Sequence, residues 1–294
     1  MPKTFFQNLQ KKIDIQAISK DFNFRKSRFF GDKMKKNFIS ALNSALILVF
    51  AGIFVSTLFF SCATTKPALN SGRAENFYQE KDYFLAEIDI SSPEIEIKTY
   101  PKQEGFHKPL SVKKFARKNG CFAAINANPF DESSRLNPLF SRRKPIGIYI
   151  DGFKEFSAPE KKYAAVAFFK EETGYSAKIY DSQAEIPGKK AEFAFGGFWT
   201  ILRGEEIFSF KKIKDFRSAI GISEDGRKIY LFCGKKLSFN ECAQILKSKN
   251  VFSAMQFDGG SSSQLYFRGK NRQKSAAARL PSVILGFSSV SSKE

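Results

Sequence analysis

The chain has 294 residues, 43% of them hydrophobic, and a formal net charge of +19 at pH 7, which suits one large globular domain with a sizeable core. Its single histidine, His107, argues against a Ser-His-Asp triad, a Cys-His dyad and a histidine-rich metal site. Lys and Arg residues are scattered between acidic residues, which favours phosphates, acidic glycans or anionic lipids over nucleic acid as partners.

The N-terminal part differs in charge from the rest of the chain. Residues 1–37 contain ten Lys or Arg against three Asp, a net charge of +7, and residues 38–61 contain no charged side chain. This leaves +12 for residues 62–294, so the body of the protein is basic and is expected to attract anions.

An apolar run follows the basic N-terminal residues. Residues 45–60 read ALILVFAGIFVSTLFF, after a Lys-Lys pair and before a Ser-Cys pair. This order is typical of a secretory signal, and Cys62 at the junction resembles the lipidated cysteine of bacterial lipoproteins. We expect a biological start at Met34 and a lipidated mature protein without residues 1–61. The alternative is an uncleaved membrane helix with a basic cytoplasmic tail. Either reading puts the remainder in the cell envelope, outside the cytoplasm.

Residues 62–80 are expected to form a tether, and residues 81–290 one α+β domain with a large mixed or antiparallel sheet and a few packed helices. Alternating patterns and short apolar runs predict strands at 83–90, 94–100, 122–125, 146–150, 163–169, 175–180, 192–195, 198–202, 218–223, 228–233, 251–257, 263–267 and 282–287.

Helices and turns separate these strands. Helical spacing of apolar residues predicts helices at 111–118 and 240–249, the first with Ser111 and the second with Ser238 as N-cap. Asp-Gly pairs predict hairpin turns after the strands that end at 150 and 223. Residues 131–145 are expected to be loop.

The three cysteines beyond the N-terminal segment are expected to be structural. Cys121 and Cys242 fall in apolar patterns typical of buried thiols. At most one disulfide bond can form among the three, and Cys233 and Cys242 are the closest pair in sequence.

Two polar side chains stand at the ends of apolar strands. Asn126 ends the strand Phe122–Ile125, where an amide can bind sugar hydroxyls or simply stabilise a turn. Arg217 begins the strand that follows it, where a guanidinium can grip a phosphate or carboxylate, or form an ordinary ion pair.

Two glycine pairs are further candidates. Asp258 ends an apolar strand and is followed by Gly-Gly-Ser-Ser-Ser, which presents main-chain N–H groups and hydroxyls to an anionic or polyhydroxylated ligand. The alternative is an Asp-Gly hairpin turn. Gly197 precedes Phe198 and Trp199, so a ring can lie against a sugar face, or Trp199 can pack in the core.

Taken in order, these clusters resemble the motifs of the phosphodiester glycosidase family. The family's Asn-Gly-Gly-Phe-Phe, Pro-x-Gly, Gly-Gly, Arg-x-Ala-hydrophobic-Gly and Leu-Asp-Gly-Gly-Gly-Ser motifs are similar, respectively, to 125–130, 145–152, 196–204, 217–221 and 257–262. The resemblance extends from about Ala86 to Phe287. The sequence departs from it where Ala127-Asn128-Pro129 replaces two glycines and where Ser261 replaces the third glycine of the last motif.

The resemblance implies a hydrolase that cleaves a glycosyl phosphodiester. It assigns Asp258 to the sugar as nucleophile, base or electrostatic stabiliser, and Arg217 to the phosphate. The remaining assigned residues orient or bind the substrate: Asn126, Gly197, Gly259, Gly260, Ser261 and Ser262. Asp131 and Glu241 are the candidates for a second carboxylate, and no metal or other cofactor is expected.

Two non-catalytic functions remain open. The same cleft can belong to an envelope lipoprotein that binds phosphorylated or acidic glycan without cleaving it. The domain can also be carried by a partner in exopolysaccharide assembly. Release of sugar from a glycosyl phosphodiester distinguishes the enzyme from both.

Overall fold

The computed structural model of the protein describes residues 75–134, 141–274 and 279–290, all within the unit Thr65–Glu294. Strands account for 47% and helices for 11% of this part of the chain, so the fold is more sheet-dominated than the expected α+β domain. Cys62 and the apolar run at 45–60 lie outside the described residues. Among the helices within them, none is long and apolar enough to cross a membrane.

The largest sheet has seven strands, all antiparallel to their neighbours. Its two longest strands form a hairpin around an Asp-Gly turn, as the sequence predicts. In spatial order the strands of this sheet are β1 (Glu75–Gln79), β2 (Tyr83–Asp89), β15 (Lys228–Leu237), β14 (Asp215–Ile222), β16 (Ser253–Gln256), β12 (Thr200–Arg203) and β13 (Glu206–Ile207).

Two five-stranded sheets and a two-stranded ribbon are antiparallel as well. The β4 sheet contains β18 (Lys270–Lys274), β17 (Gln264–Phe267), β4 (Cys121–Asn126), β19 (Ile284–Ser289) and β3 (Ile95–Tyr100). The β9 sheet contains β10 (Tyr175–Tyr180), β9 (Ala165–Lys170), β11 (Phe193–Gly196), β7 (Tyr149–Asp151) and β8 (Lys154–Ser157). The ribbon pairs β5 (Phe130–Glu132) with β6 (Arg143–Pro145).

Each of two α-helices covers the outer face of one sheet. Helix α1 (Val112–Lys118) begins after Ser111, whose side chain accepts a hydrogen bond from the N–H of Lys114, and it packs against the β4 sheet. Helix α2 (Phe239–Ser248) begins after Ser238 with a complete capping box and packs against the seven-stranded sheet. Two short 3-10 helices are formed by Gln183–Glu185 and Gly260–Ser262.

The inner faces of the three larger sheets share one hydrophobic core. Ile88 and Leu231 come from the seven-stranded sheet, Ile125 from the β4 sheet, and Val166 and Phe195 from the β9 sheet. All five are buried, so the sheets are held together by apolar packing at their facing surfaces.

The strands absent from the sequence prediction are short or charged. Strands β5 and β6 overlap the predicted loop 131–145, and β1 lies inside the predicted tether 62–80. Strands of three to five residues carry too little alternation of apolar and polar residues to be recognised.

Gly197 lies where the chain leaves the β9 sheet and enters the seven-stranded sheet. Its N–H donates to the carbonyl oxygen of Ala164 over 3.0 Å, and the next N–H, of Phe198, donates to that of Gln256 over 2.9 Å. An ideal Cβ on Gly197 would lie 2.1 Å from the Gln256 oxygen. Only glycine fits here, because any side chain would overlap the neighbouring strand. Its absence of a side chain allows the chain to pass closely between the two sheets.

We predict that Gly197→Ala destabilises the protein by about 1–3 kcal/mol, because the added methyl group overlaps a main-chain oxygen. Gly188→Ala is the matched control, since its Cβ would have no neighbour closer than 3.9 Å. Urea unfolding of both variants measures the effect, and equal stabilities would contradict the proposed contact.

Candidate active site

Asp258 and the residues that follow it connect two sheets. Strand β16 ends at Gln256 in the seven-stranded sheet, and β17 begins at Gln264 in the β4 sheet. The alternative reading of Asp258-Gly259 as a hairpin turn is therefore wrong, because the flanking strands are not paired with each other. The segment is a crossover whose side chains are presented at the junction of the sheets.

The side chain of Asn126 forms hydrogen bonds to three segments that meet at this junction. Its Nδ2 donates to the carbonyl oxygen of Asp258 over 2.6 Å. Its Oδ1 accepts from the hydroxyl of Ser218, at 2.9 Å, and from the N–H of Gln264, at 3.0 Å. One fully buried amide thus joins β4, β14, β17 and the crossover.

A cleft of about 560 Å³ opens at this junction. Six of the residues assigned from sequence line it: Arg217, Asp258, Gly259, Gly260, Ser261 and Ser262. The other two assigned residues, Asn126 and Gly197, are buried beside it and do not line it. Their hydrogen bonds and packing support the segments that line the cleft, but the two residues themselves do not contact it.

The carboxyl group of Asp258 is poised to titrate near neutral pH. Burial raises its pKa to about 6, although a hydrogen bond from Ser262, the charge of Arg279 and the N–H of Gly259 all favour the ionised form. A carboxyl group with such a pKa can exchange a proton or carry negative charge at physiological pH.

The glycine pair shapes the floor of the cleft. Gly260 has φ +58°, a left-handed conformation that favours glycine, and it begins the short 3-10 helix. The turn places the carbonyl oxygen of Ser261 against the N–H of Arg279, which donates to it over 2.8 Å. The crossover therefore also fixes the chain at residue 279.

Arg217 lines the cleft, but most of its guanidinium is engaged elsewhere. Its Nε donates to the carbonyl oxygen of Leu237 over 3.0 Å, and Nη2 donates to that of Ile213. The guanidinium carbon lies 3.8 Å from the centre of the Phe239 ring. Burial lowers the pKa of Arg217, because desolvation disfavours the charged guanidinium. The hydrogen bonds to the two carbonyl oxygens favour the charged form.

A second arginine, which the sequence reasoning missed, lines the same cleft. Arg279 has a side chain 46% exposed, is ion-paired with Glu132, and stabilises the ionised form of Asp258. The preceding residues read Lys-Ser-Ala-Ala-Ala, so no motif or strand end marks it in the sequence. Only the fold brings it back to residue 261.

Gln256 lines the cleft and has a nearly buried side chain. It is 6% exposed, and within the described residues its Oε1 is buried without a hydrogen-bond partner. A buried amide oxygen left unpaired costs free energy, which a hydroxyl or amide donor of a ligand would recover. Gln256 is the last residue of β16 and lies two residues before Asp258 in the sequence, and both residues line the cleft.

Aromatic rings form the opposite wall. Phe130, Tyr163 and Phe198 line the cleft, and each is half-buried. Trp199 is 44% exposed and packs edge-on against Tyr163 at 5.8 Å, so its alternative placement in the core is wrong. The glycine pair thus presents Phe198, rather than Trp199, to the cleft.

Neither candidate for the second carboxylate lines the cleft. Glu241 accepts hydrogen bonds from Ser238 and forms an ion pair with Lys214 at 2.6 Å, which together lower its pKa to about 2. Asp131 is exposed on the ribbon. Asp215 lines the cleft instead, and its Oδ2 would lie 3.4 Å from a Cβ on Gly260.

The remaining reactive side chains lie elsewhere. The three described cysteines are buried free thiols, and burial raises each pKa to about 12, so they stay protonated at neutral pH. His107 is buried away from the cleft, with Nε2 2.9 Å from the carbonyl oxygen of Ser282. Among the residues described here, no group of three or more His, Cys, Asp or Glu could hold a metal ion.

A family model for phosphodiester glycosidases matches residues 119–287, more than half of the chain. The chain belongs to the phosphodiester glycosidase family. The matched region contains Asn126, Arg217, Asp258 and Arg279, and it supports a glycosidase-type function. A comparison with curated protein sequences gave no significant match.

Three solved structures share the fold of this glycosidase domain. A hypothetical protein from Synechocystis has a TM-score of 0.53 at 16% identity, over 72% of this chain and 61% of that one. The zebrafish N-acetylglucosamine-1-phosphodiester alpha-N-acetylglucosaminidase catalytic domain, auto-inhibited by its pro-peptide, has a TM-score of 0.52 at 17% identity, over 73% and 77%. A Burkholderia pseudomallei protein has a TM-score of 0.52 at 10% identity, over 73% and 74%.

The departures from the family's motifs fall partly inside the cleft. Pro129 and Ser261 line it. Asn128 faces the interior, where its Nδ2 donates to the carbonyl oxygens of Ile146 and Ile148. The first departure thus adds one wall residue and one internal clamp, and the second adds a hydroxyl at the cleft.

We predict that Asn126→Ala destabilises the glycosidase domain by about 2–4 kcal/mol, because three buried partners lose their hydrogen bonds. Asn271→Ala, on an exposed strand position, should change stability by less than about 0.5 kcal/mol. Thermal unfolding tests both, and an Asn126→Ala protein as stable as wild type would show that the amide is no anchor.

We predict that Asp258→Asn stabilises the domain at pH 8 and loses this advantage by pH 3. The folded pKa of about 6 exceeds the ordinary value of 3.8, so ionisation costs stability as pH rises between them, by about 1–3 kcal/mol. At pH 3 the Asp258 carboxyl group is mostly protonated in both the folded and the unfolded protein, so the difference between the variants disappears.

Asp225→Asn is the control of opposite sign. Hydrogen bonds from Ser223 and from the N–H of Arg227 lower the pKa of Asp225, so its ionised form favours folding above the ordinary pKa. Melting temperatures from pH 3 to 8 compare the two variants. Destabilisation by Asp258→Asn at pH 8 would contradict the raised pKa.

Proposed function

We propose that the protein hydrolyses a glycosyl phosphodiester at the cell envelope. The observation that carries this proposal is a buried carboxyl with a pKa of about 6 in a cleft that also contains two arginines. Membership of the phosphodiester glycosidase family supports the reaction class. The N-terminal Lys-Lys, apolar run and Cys62 support export and anchoring, through lipid or an uncleaved helix.

In the proposed reaction, water adds to C1 of the sugar as the C1–O bond breaks. The phosphate leaves with the bridging oxygen as a phosphomonoester, and the proton lost by water goes to a base or to solvent. A phosphomonoester is a weakly basic leaving group, so it needs less protonation than an alcohol. The main requirements are stabilisation of positive charge at C1 and binding of the phosphate.

Asp258 meets the first requirement. It acts in the ionised form, which predominates above pH 6 because its pKa is about 6. As base it takes the proton of the attacking water, and as electrostatic stabiliser it faces the positive charge at C1. As nucleophile it would instead bond to C1 while the phosphomonoester leaves, and water would then hydrolyse the glycosyl ester and regenerate the carboxylate. Burial keeps its charge poorly solvated, which strengthens its attraction for an oxocarbenium-like centre. Ser262 and the N–H of Gly259 hold the carboxylate in place.

Arg279 is the better placed of the two arginines for the phosphate. Its side chain is about half exposed and paired with a single carboxylate, Glu132. Arg217 spends two of its nitrogens on main-chain carbonyl groups, so it contributes positive potential and the remaining Nη1. Two cations on one cleft suit a phosphodiester and the dianionic product.

The sugar is proposed to lie between the aromatic wall and Gln256. Half-buried rings such as Tyr163 and Phe198 offer an apolar surface to a sugar face. The unpaired Oε1 of Gln256 accepts a hydrogen bond from a hydroxyl or acetamido group. Asp215, on the rim, is the proposed second carboxylate for orienting water.

We predict that the wild-type protein releases free sugar and methyl phosphate from a sugar 1-phosphate methyl diester, with a rate that rises through about pH 6. Asp258→Asn should lower kcat about 100-fold or more and abolish that pH dependence. Arg279→Gln should raise KM as well as lower kcat/KM, because it removes phosphate binding.

Arg227→Gln, in the exposed turn between β14 and β15, is the control and should retain wild-type kinetics. A panel of such diesters differing in sugar and anomer identifies the substrate. Binding of diesters with no release of sugar by the wild type would favour the non-catalytic alternative. Full activity of Asp258→Asn would refute the assigned mechanism.

A further inference from the structure

A second groove, of about 770 Å³, lies along helix α1. Four basic residues of that helix line it: Lys113, Lys114, Arg117 and Lys118. No carboxylate is among the lining residues that the structure describes. The helix buries Phe115 against the β4 sheet, so its basic side chains remain on the outer face.

These four cations have no carboxylate partner among the residues that the structure describes. Within the described part of the chain, none of them takes part in a salt bridge. Like charges three and four residues apart on a helix repel each other. Their concentration in a concave surface creates a positive potential that an external anion would relieve.

The groove shares a wall with the candidate active site. The side chain of Gln264 lines the groove, and its Nε2 donates to the carbonyl oxygen of Arg279 over 3.0 Å. Its Oε1 accepts from the N–H of Val112, at 3.2 Å, where helix α1 begins. Arg279 lines the cleft, and the next residue, Leu280, lines the groove.

We propose that this groove binds the anionic part of a polymeric glycan, a strand that bears phosphate or carboxylate groups, beside the linkage held in the cleft. The inference rests on the proposed function and extends it, because it makes the substrate a polyanion. The hydroxyl of Ser111, which can still donate, and the exposed amide of Asn271 supply hydrogen bonds for hydroxyl groups among the cations.

Other anionic partners fit the lining less well. None of the described lining residues is aromatic, so the groove lacks the stacking surface that single-stranded nucleic acids use. Leu280, 38% exposed, is the one large apolar side chain among the described residues of the groove, whereas membrane-binding surfaces insert several. Shared walls with a glycosidase cleft favour a glycan.

Binding of dextran sulfate to the full chain, compared with unmodified dextran of equal length, tests the proposal. Wild type should bind dextran sulfate, increasingly weakly as salt rises, and should not bind dextran. Lys114→Glu/Arg117→Glu should weaken binding at least tenfold. Lys189→Glu/Lys190→Glu makes the same charge change at exposed positions outside the groove and should stay within twofold of wild type.

Three further measurements make the result decisive. Lys114→Gln/Arg117→Gln should give an intermediate loss, and unchanged melting temperatures verify folding. Asp258→Asn should bind dextran sulfate as wild type does, so groove binding persists even if hydrolysis is never found. Equal losses in the groove and control variants, or groove-dependent binding to phosphatidylglycerol vesicles but not to dextran sulfate, would overturn the proposal.

Discussion

The structure depends on one buried amide. Asn126 accepts hydrogen bonds from two sheets and donates one to the main chain that crosses between them. Apolar packing brings the sheets face to face but does not specify how their edges align, because hydrophobic contacts have little directionality. Three directed hydrogen bonds in a dry interior do specify it, and the cleft forms at the edge that they fix.

In the cleft, burial disfavours charged side chains, whereas neighbouring charges and hydrogen bonds favour them. Burial alone would favour a neutral Asp258, while Arg279, Ser262 and the N–H of Gly259 favour the anion, and the result is a pKa of about 6. The same balance holds for Arg217, since desolvation lowers its pKa and favours the neutral form, while main-chain carbonyl groups accept hydrogen bonds from the cation. The two charges therefore persist in a site that would otherwise expel them, which is the condition for strong interaction with an ionic substrate.

Much of this fold is predictable because its long strands carry a clear period of two and its helices begin at serine caps. The pair β14–β15 and helix α2 were foreseen in this way. The ribbon β5–β6 was not, because three-residue strands carry almost no periodic pattern. Asp258 and its glycines could be recognised as a local motif, whereas Arg279 could not. Its position depends on a contact with Ser261, eighteen residues away in sequence and without any motif of its own. The sequence does not reveal the buried position of Asn126 for a related reason. An amide at the end of a strand has the same sequence pattern whether it faces a ligand or the interior.

The hydrogen bond from Asn126 reaches the main-chain oxygen of residue 258 and leaves the carboxyl group itself untouched. A hydrogen bond to a main-chain oxygen does not depend on which side chain the residue carries. Substitutions in the crossover, such as Ser261, can therefore alter what the cleft accepts without dismantling the architecture. This separation is consistent with one scaffold being shared by proteins that have only 16–17% of their residues in common with this chain.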